Sequence, residues 1–216
     1  MVGTVIAKVS GASGGATLAV EGGASSTTYE LSKTDGSAND HLKTDGSGNL
    51  SWVAPPAGGL TTASQWRVQA DFTGDAQPIG DSTGTIAIVN TDGYGSLGSA
   101  MTYGSGVFAF PSTGFWLCLG QFTFTTTLNA EVGAYLEYTA NNGGAWSTAS
   151  WSEDGSNYGY RSNINIYHMM DITDAANQKV RWSVDADTAG SGGVVTTRGD
   201  TSVTETGFTF IKLADT

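Results

Sequence analysis

Residue types that usually supply chemistry or covalent cross-links are scarce in this chain. Cys118 is the single cysteine among 216 residues, which excludes an intrachain disulfide. The only two histidines are His41 and His168, whereas a stable transition-metal site needs three or four His, Cys or carboxylate ligands. Because Cys118 lies in an apolar run, we interpret it as a buried small hydrophobe and not as a reactive thiol.

Basic residues are also few. The chain has 9 Lys and Arg against 20 Asp and Glu, which gives a formal net charge of -11. Nucleic-acid binding depends mainly on Lys and Arg side chains that neutralise phosphates, so we expect no nucleic-acid partner. Only 13% of the residues are charged, while Gly, Ser, Thr and Asn are abundant. This composition is typical of extracellular or virion β-proteins.

Long apolar segments are missing as well. No window approaches 18 consecutive apolar residues, and residues 1–8 lack the basic start and apolar stretch of a secretory signal. We therefore expect a soluble protein with no membrane partner and no visible export signal.

Aromatic residues are rare in the first quarter of the chain. Only Tyr29 and Trp52 precede position 60, so the residues that can build a core lie after it. Pro55 and Pro56 cannot donate to a sheet ladder and mark the best domain boundary. The sequence thus predicts an N-terminal anchor or stalk with a linker at residues 1–59 and a knob domain at residues 60–216.

The knob sequence consists of strand and turn signals throughout. Eight strands are predicted, at 65–72, 85–89, 105–110, 115–124, 131–139, 163–172, 179–184 and 206–213. Eight strands separated by turn residues indicate an all-β fold, a sandwich or jelly roll.

One of these strands is unusually apolar. Phe115, Leu117 and Leu119 occupy one parity of the strand, and Trp116 and Cys118 occupy the other. A two-layer sandwich buries only one face of each sheet, so something else must cover the first set. We expect a neighbouring subunit to do so, with Phe115, Leu117 and Leu119 in the interface.

Three segments carry a resemblance to a known family. They are Phe108–Leu117 (FAFPSTGFWL), Lys179–Val184 (KVRWSV) and Thr206–Leu213 (TGFTFIKL). Together they resemble the globular jelly roll shared by complement component-one-q and tumour necrosis factor proteins, over roughly residues 66–213. This resemblance implies a homotrimer about a three-fold axis. The chain lacks the collagen-like stalk of the animal proteins, so an immune role is not implied.

A second resemblance lies before the boundary. Leu42–Val53 (LKTDGSGNLSWV) is similar to a segment that recurs in structural proteins of tailed bacteriophages. It implies a virion protein, assembled in the host cytoplasm and displayed on the virion surface, with the major capsid protein or another virion component as its partner.

Sequence motifs for catalysis and metal binding are weak. Gly11–Gly15 and Gly80–Gly84 both match the Gly-x-Ser-x-Gly pattern of hydrolases, but neither precedes a plausible helix. We interpret both as turns and expect no enzyme, no catalytic residue and no cofactor or transition metal. Bound calcium stays open as an alternative, because Asp185, Asp187 or the acidic stretch 35–40 could supply oxygen ligands.

An aromatic-rich segment offers a candidate recognition loop. Residues 141–161 place Trp146, Trp151, Tyr158 and Tyr160 among Ser, Gly and Asn, a mixture found in recognition loops. A host glycan or a protein could bind there. The alternative is that the two tryptophans cap the open end of the jelly roll or pack against a neighbouring subunit.

These observations favour a non-enzymatic, homotrimeric phage virion protein, a capsid decoration or cement protein or a short head fibre. An anchor of about 60 residues reaches at most about 200 Å when fully extended, less than tail fibres usually need. The alternative function is a short tail fibre or receptor-binding protein that recognises host surface glycan. A third hypothesis is a glycan depolymerase that uses Glu131, Glu137, Glu153 or Asp154 as a carboxylate pair.

Overall fold

The described part of the protein consists of strands joined by turns. The computed structural model describes residues 5–10, 15–20, 28–30, 36–47, 49–55, 59–81, 83–91, 93–127, 130–156, 159–187 and 193–216. In that part of the chain, no helix is long and apolar enough to cross a membrane. The strands are β1 (Val5–Ser10), β2 (Gly15–Val20), β3 (Thr28–Glu30), β4 (His41–Thr44), β5 (Leu50–Val53), β6 (Thr62–Val68), β7 (Phe72–Thr73), β8 (Ile86–Ile88), β9 (Thr102–Gly104), β10 (Val107–Ala109), β11 (Gly114–Thr126), β12 (Ala130–Thr139), β13 (Ser147–Ser156), β14 (Arg161–Ile172), β15 (Lys179–Asp187), β16 (Val195–Thr197) and β17 (Gly207–Ala214).

The chain divides into two compact units, Met1–Gly59 and Leu60–Thr216. In the first unit, β1, β2 and β3 form an antiparallel sheet, and β4 pairs with β5 in a hairpin. Asp45 closes the hairpin turn, since its Oδ1 accepts hydrogen bonds from the backbone N–H of Ser47 and Asn49. Gly46 has φ +82°, a conformation that glycine adopts without strain.

The second unit, called the knob below, contains two antiparallel sheets. One has the order β13-β12-β15-β10-β9. The other has the order β7-β16-β11-β17-β6-β8. In it, β16 and β17 pair with β11 along one side, and β14 pairs with β11 along the other. Pro111, Ser112 and Thr113 join β10 of the first sheet to β11 of the second, so the apolar run of the sequence crosses from one layer to the other.

Large aromatic side chains fill the space between the two sheets. Trp182 of β15 stacks on Phe208 of β17 with ring centroids 5.1 Å apart, and Phe122 of β11 lies 5.7 Å from Phe208. All three are fully buried, and burial of each such side chain stabilises the fold by about 1.5–3 kcal/mol. The predicted alternation in β11 is confirmed, because Trp116 and Cys118 point into this core.

The segment that was predicted as a recognition loop contains a strand in its middle. Residues 147–156 form β13, which pairs with β12 from Ala130↔Ser156 to Tyr138↔Ser147. The prediction of a loop was wrong for residues 147–156, because Ser and Gly are turn residues by local preference whereas the edge of β12 supplies backbone partners for this part of the segment. Trp151 therefore lies on a strand.

Candidate functional site

The knob has two outward-facing sheet surfaces with unusual side chains. On the seven-stranded sheet, a continuous apolar surface covers the middle of β11 and its two neighbours. We call it the outer apolar face, and it consists of Phe115, Leu117, Leu119, Tyr167, Met169 and Ile211.

Strand register brings these residues together. Leu117 of β11 stands opposite Met169 of β14 and Ile211 of β17, and Leu119 stands opposite Tyr167. Tyr167 is 74% exposed, Met169 61% and Phe115 39%. Nothing in the described part of the knob covers this face, so large apolar side chains meet solvent in the middle of a sheet.

The sequence predicted three members of this face and missed the others. Phe115, Leu117 and Leu119 lie where the prediction placed them, on the side of β11 that faces away from the core. Tyr167 and Met169 alternate with the buried Ile166 and Met170 in β14, and this alternation is visible in the sequence. Their position beside Leu117 and Leu119 depends on register, which the sequence does not reveal.

The second surface is the outer face of the five-stranded sheet, where two of the candidate recognition residues, Trp146 and Trp151, lie. Trp151 is 54% exposed and stacks on Tyr135 of β12, with ring centroids 6.1 Å apart and an angle of 11° between the planes. Trp146 lies under the Arg181 guanidinium, 4.5 Å from its Cζ. Tyr160 is exposed just before β14, and Tyr158 lies outside the described residues.

A buried ion pair supports this surface. Arg181 of β15 donates from Nε and Nη2 to the two carboxylate oxygens of Glu137 on β12, at 2.9 and 3.0 Å. Ser183 Oγ donates to the same carboxylate at 2.5 Å, and Gln77 Nε2 lies 3.4 Å from it. Burial alone raises a carboxyl pKa, but the hydrogen bonds from Arg181 and Ser183 and the Arg181 charge together lower the pKa of Glu137.

A cavity of about 300 Å³ opens beside this ion pair. We call it the aromatic cavity, and it is lined by Asp75, Gln77, Tyr135, Glu137, Thr148, Ser183, Val184 and Asp185. The Tyr135 ring lies along the sheet over Gly133, where a Cβ would come within 2.8 Å of the phenol oxygen. Burial, with the charges of Asp185 and Glu153, raises the pKa of Tyr135.

Sequence reasoning missed most of these cavity residues. Tyr135 and Glu137 on β12 share one parity, as do Ser183 and Asp185 on β15, and that spacing is present in the sequence. Antiparallel pairing of β12 with β15 places Tyr135 opposite Ser183, and this pairing is set by the tertiary fold. No pattern of neighbouring residues in the sequence therefore indicated that these polar side chains of β12 and β15 would meet.

The weak catalytic and metal candidates remain scattered. His41 is exposed on β4, and His168 is half-buried on β14 opposite Cys118. Ser82 and Asp35, like the side chain of Asp187, lie outside the described residues. Within the described ranges, no group of three His, Cys, Asp or Glu side chains could hold a metal ion.

Solved structures share the architecture of the knob. The Eiger tumour necrosis factor of S. frugiperda superimposes with a TM-score of 0.53 and 11% sequence identity, over 73% of this chain and 96% of that chain. Murine APRIL at pH 5.0 gives a TM-score of 0.51 and 10% identity, over 70% of this chain and 98% of that chain. The fold is a tumour-necrosis-factor-like jelly roll. This confirms the predicted all-β jelly roll, and at such identities the likeness concerns the fold alone.

No protein-family model and no curated protein matches the chain.

Proposed function

We propose that this chain is a non-enzymatic structural protein of a tailed phage, a homotrimer that decorates the capsid or forms a short head fibre. The observation that carries the proposal is the outer apolar face on a tumour-necrosis-factor-like jelly roll. The phage assignment rests on the sequence resemblance of residues 42–53 to phage structural proteins.

The outer apolar face supports the trimer. Its six side chains surround the centre of β11, and transfer of such surface out of water is favourable by about 25 cal/mol per Å². Copies of this face that meet around a three-fold axis would remove it from solvent. The family resemblance implies that three copies of the chain assemble in this way.

The N-terminal hairpin supports an anchoring role. In the phage-like segment, Leu42 of β4 stands opposite Trp52 of β5, and both side chains are exposed. A two-stranded hairpin with an exposed apolar pair is marginally stable by itself and is stabilised by contact with another surface. We infer that this pair contacts the capsid shell, with the jelly roll projecting from it.

The Glu137 ion pair supports a role without catalysis. A glycosidase needs one carboxylic acid whose pKa is raised so that it can protonate the leaving group. Glu137 has a lowered pKa and both of its oxygens are engaged by Arg181. This argues against Glu137 as the acid of a glycan depolymerase.

Binding to particles tests the proposal. Capsids assembled without the protein are mixed with the purified full-length trimer, and occupancy is measured by sedimentation and by density maps of the particles. We expect trimeric density on the shell, and we expect Leu42→Ser combined with Trp52→Ser to lower occupancy at least tenfold. The control Trp151→Ala should bind normally. Density confined to the tail, or no density, would overturn the proposal.

A second candidate function is glycan recognition by a receptor-binding protein. The observation that favours it is the aromatic cavity, where the half-buried Tyr135 ring lies with the polar groups of Asp75 and Asp185 and stacks on the exposed Trp151 ring beside it. Sugars bind to flat aromatic faces flanked by hydrogen-bonding groups. Binding of purified protein to host cells would be lost in Trp151→Ala and kept in the matched control Tyr160→Ala.

A further inference from the structure

The turn between β12 and β13 contains a dipeptide with a chemistry of its own. Asn142 is the only asparagine of the 216-residue sequence that is followed by glycine. Gly143 has no Cβ, so its backbone nitrogen is sterically open to a reaction with the preceding side chain. Both residues are exposed, and both have a positive φ, 58° for Asn142 and 92° for Gly143. A side-chain amide and an unhindered backbone nitrogen thus lie next to each other at the surface of the knob.

Thr139 restrains the nitrogen of this pair. Thr139 is only 1% exposed at the end of β12, and its Oγ1 accepts hydrogen bonds from the backbone N–H of Gly143 at 3.1 Å and of Asn141 at 3.3 Å. The Thr139 hydroxyl donates its own proton to Asn141 Oδ1 at 2.8 Å, which also accepts from the backbone N–H of Ala145 at 2.9 Å. The amide proton of Gly143 is therefore directed at the Thr139 oxygen instead of at a base in solvent.

The side chain of Asn142 is restrained as well. Lys179, at the start of β15, donates from Nζ to Asn142 Oδ1, and the backbone N–H of Asn142 donates to the carbonyl oxygen of Asn177 at 2.9 Å. Asn142 is thus tied to the segment before β15 by its side chain and by its backbone. Ring closure needs Asn142 Cγ to move within bonding distance of the Gly143 nitrogen, and this movement disturbs the hydrogen bonds of the closed turn.

We propose that Asn142 is a deamidation site that the closed turn keeps unreactive and that opening of the turn releases. The Gly143 nitrogen loses its proton and attacks Asn142 Cγ, the Cγ–Nδ2 bond breaks, and ammonia leaves with the transferred proton. Water, the only co-reactant, then opens the succinimide ring and leaves aspartate or isoaspartate. The new carboxylate lies next to the Lys179 ammonium group, and isoaspartate lengthens the turn backbone by one methylene group near the Trp146 ring.

Peptide mapping of the full-length protein by mass spectrometry tests this site. The protein is incubated in mildly alkaline buffer, with and without enough urea to unfold the knob, and the fraction of Asn142 converted to a carboxylate is followed over time. We expect the reaction to be at least about tenfold slower in the folded protein, because it proceeds only through the small population with an open turn. Equal rates in folded and unfolded protein, or no conversion of Asn142 in the unfolded chain, would overturn the proposal.

Variants of the turn identify the restraint. Thr139→Val removes the hydroxyl and should raise the rate in the folded protein about 2- to 12-fold, the value of the one hydrogen bond to the Gly143 amide. The matched control Thr102→Val, at an exposed threonine of β9, should react like the wild type. If Thr139→Val fails to fold, the exposed Asn141→Ala decides, since it removes the acceptor of the Thr139 and Ala145 protons and should also raise the rate. A rate equal to that of the wild type in the deciding variant would overturn the proposal.

Discussion

The Glu137–Arg181 pair shows how single side chains stabilise a sheet surface. The Arg181 guanidinium pairs with the Glu137 carboxylate, and its Cζ lies 4.5 Å from the centroid of the Trp146 ring. A guanidinium in this position is held by hydrogen bonds and by attraction to the ring at the same time. Loss of Glu137 would leave a partly buried cation without its counter-ion.

We therefore predict that Glu137→Gln destabilises the knob by about 3 kcal/mol at pH 7. The free energy of unfolding in urea measures the effect. Because the pKa of Glu137 is lowered in the folded state, its contribution is present above the ordinary Glu pKa of about 4.3 and is lost as the pH falls through the folded value. The stability of the variant should therefore fall less steeply than that of the wild type on acidification.

Asp215→Asn is the control for this measurement. Asp215 pairs with Lys212 and its side chain is 90% exposed, so its loss should cost less than about 1 kcal/mol. A stability of Glu137→Gln equal to that of the wild type at pH 7 would show that the ion pair contributes nothing.

Cys118 leads to a second prediction at the residue scale. Its side chain is fully buried in the core of β11, and this burial raises the pKa of the thiol. Only the thiolate reacts readily with disulfide reagents, so Cys118 should react only when the knob unfolds. Ellman's reagent should label an exposed cysteine at Thr113→Cys within the mixing time, and rapid labelling of Cys118 in native wild type would contradict the structure.

At the scale of elements, β11 contributes alternate side chains to the core and to the outer apolar face. It pairs with β14 over twelve residue pairs, from Gly114↔Ile172 to Thr125↔Arg161, and with β17 and β16 on its other side. A central strand with two neighbours has no free backbone edge. Its outward side chains, and not its backbone, are what another subunit could contact.

We predict that Leu117→Asp or Leu119→Asp dissociates the proposed trimer. An unpaired carboxylate in an apolar interface is strongly disfavoured, whereas in the isolated knob the same side chain would meet water. Light scattering should show trimeric wild type and monomeric variants. The matched control Val194→Asp, at an exposed apolar side chain outside this face, should remain trimeric. A wild type that is monomeric while folded would contradict the assembly.

At the scale of the whole molecule, the chain is two units with separate sheets. The aromatic core that stabilises the fold belongs entirely to residues after position 60. The described hairpin of the first unit has exposed positions over the whole of β4. The buried apolar side chains that stabilise folding are thus concentrated in the knob, whereas the hairpin of the first unit buries little.

We predict that the truncated chain 60–216 folds and assembles like the full chain but no longer attaches to particles. Its Tm should lie within a few degrees of that of the knob in the full protein, while residues 1–59 alone should show little cooperative unfolding. Scanning calorimetry and particle sedimentation measure the two properties. Undiminished occupancy by the truncated knob would place the attachment surface on the jelly roll itself.

Local patterns in the sequence predicted the strands of the knob well because alternation is a property of neighbouring residues. The Phe115–Leu119 run indicated a strand with two apolar faces, and the structure places Trp116 and Cys118 inside and Leu117 and Leu119 outside. The same reasoning failed for β13, since its Ser and Gly residues are held in a strand only by the neighbouring edge of β12.

The sequence by itself determined the all-β class, the concentration of core residues after position 60 and the apolar outer side of β11. These follow from composition and from the two-residue period of a strand. Only the tertiary structure decided that Met169 and Tyr167 join that side and that Arg181 meets Glu137. The physical reason is that these contacts link residues far apart in the chain, and their register is fixed by packing of the whole sandwich.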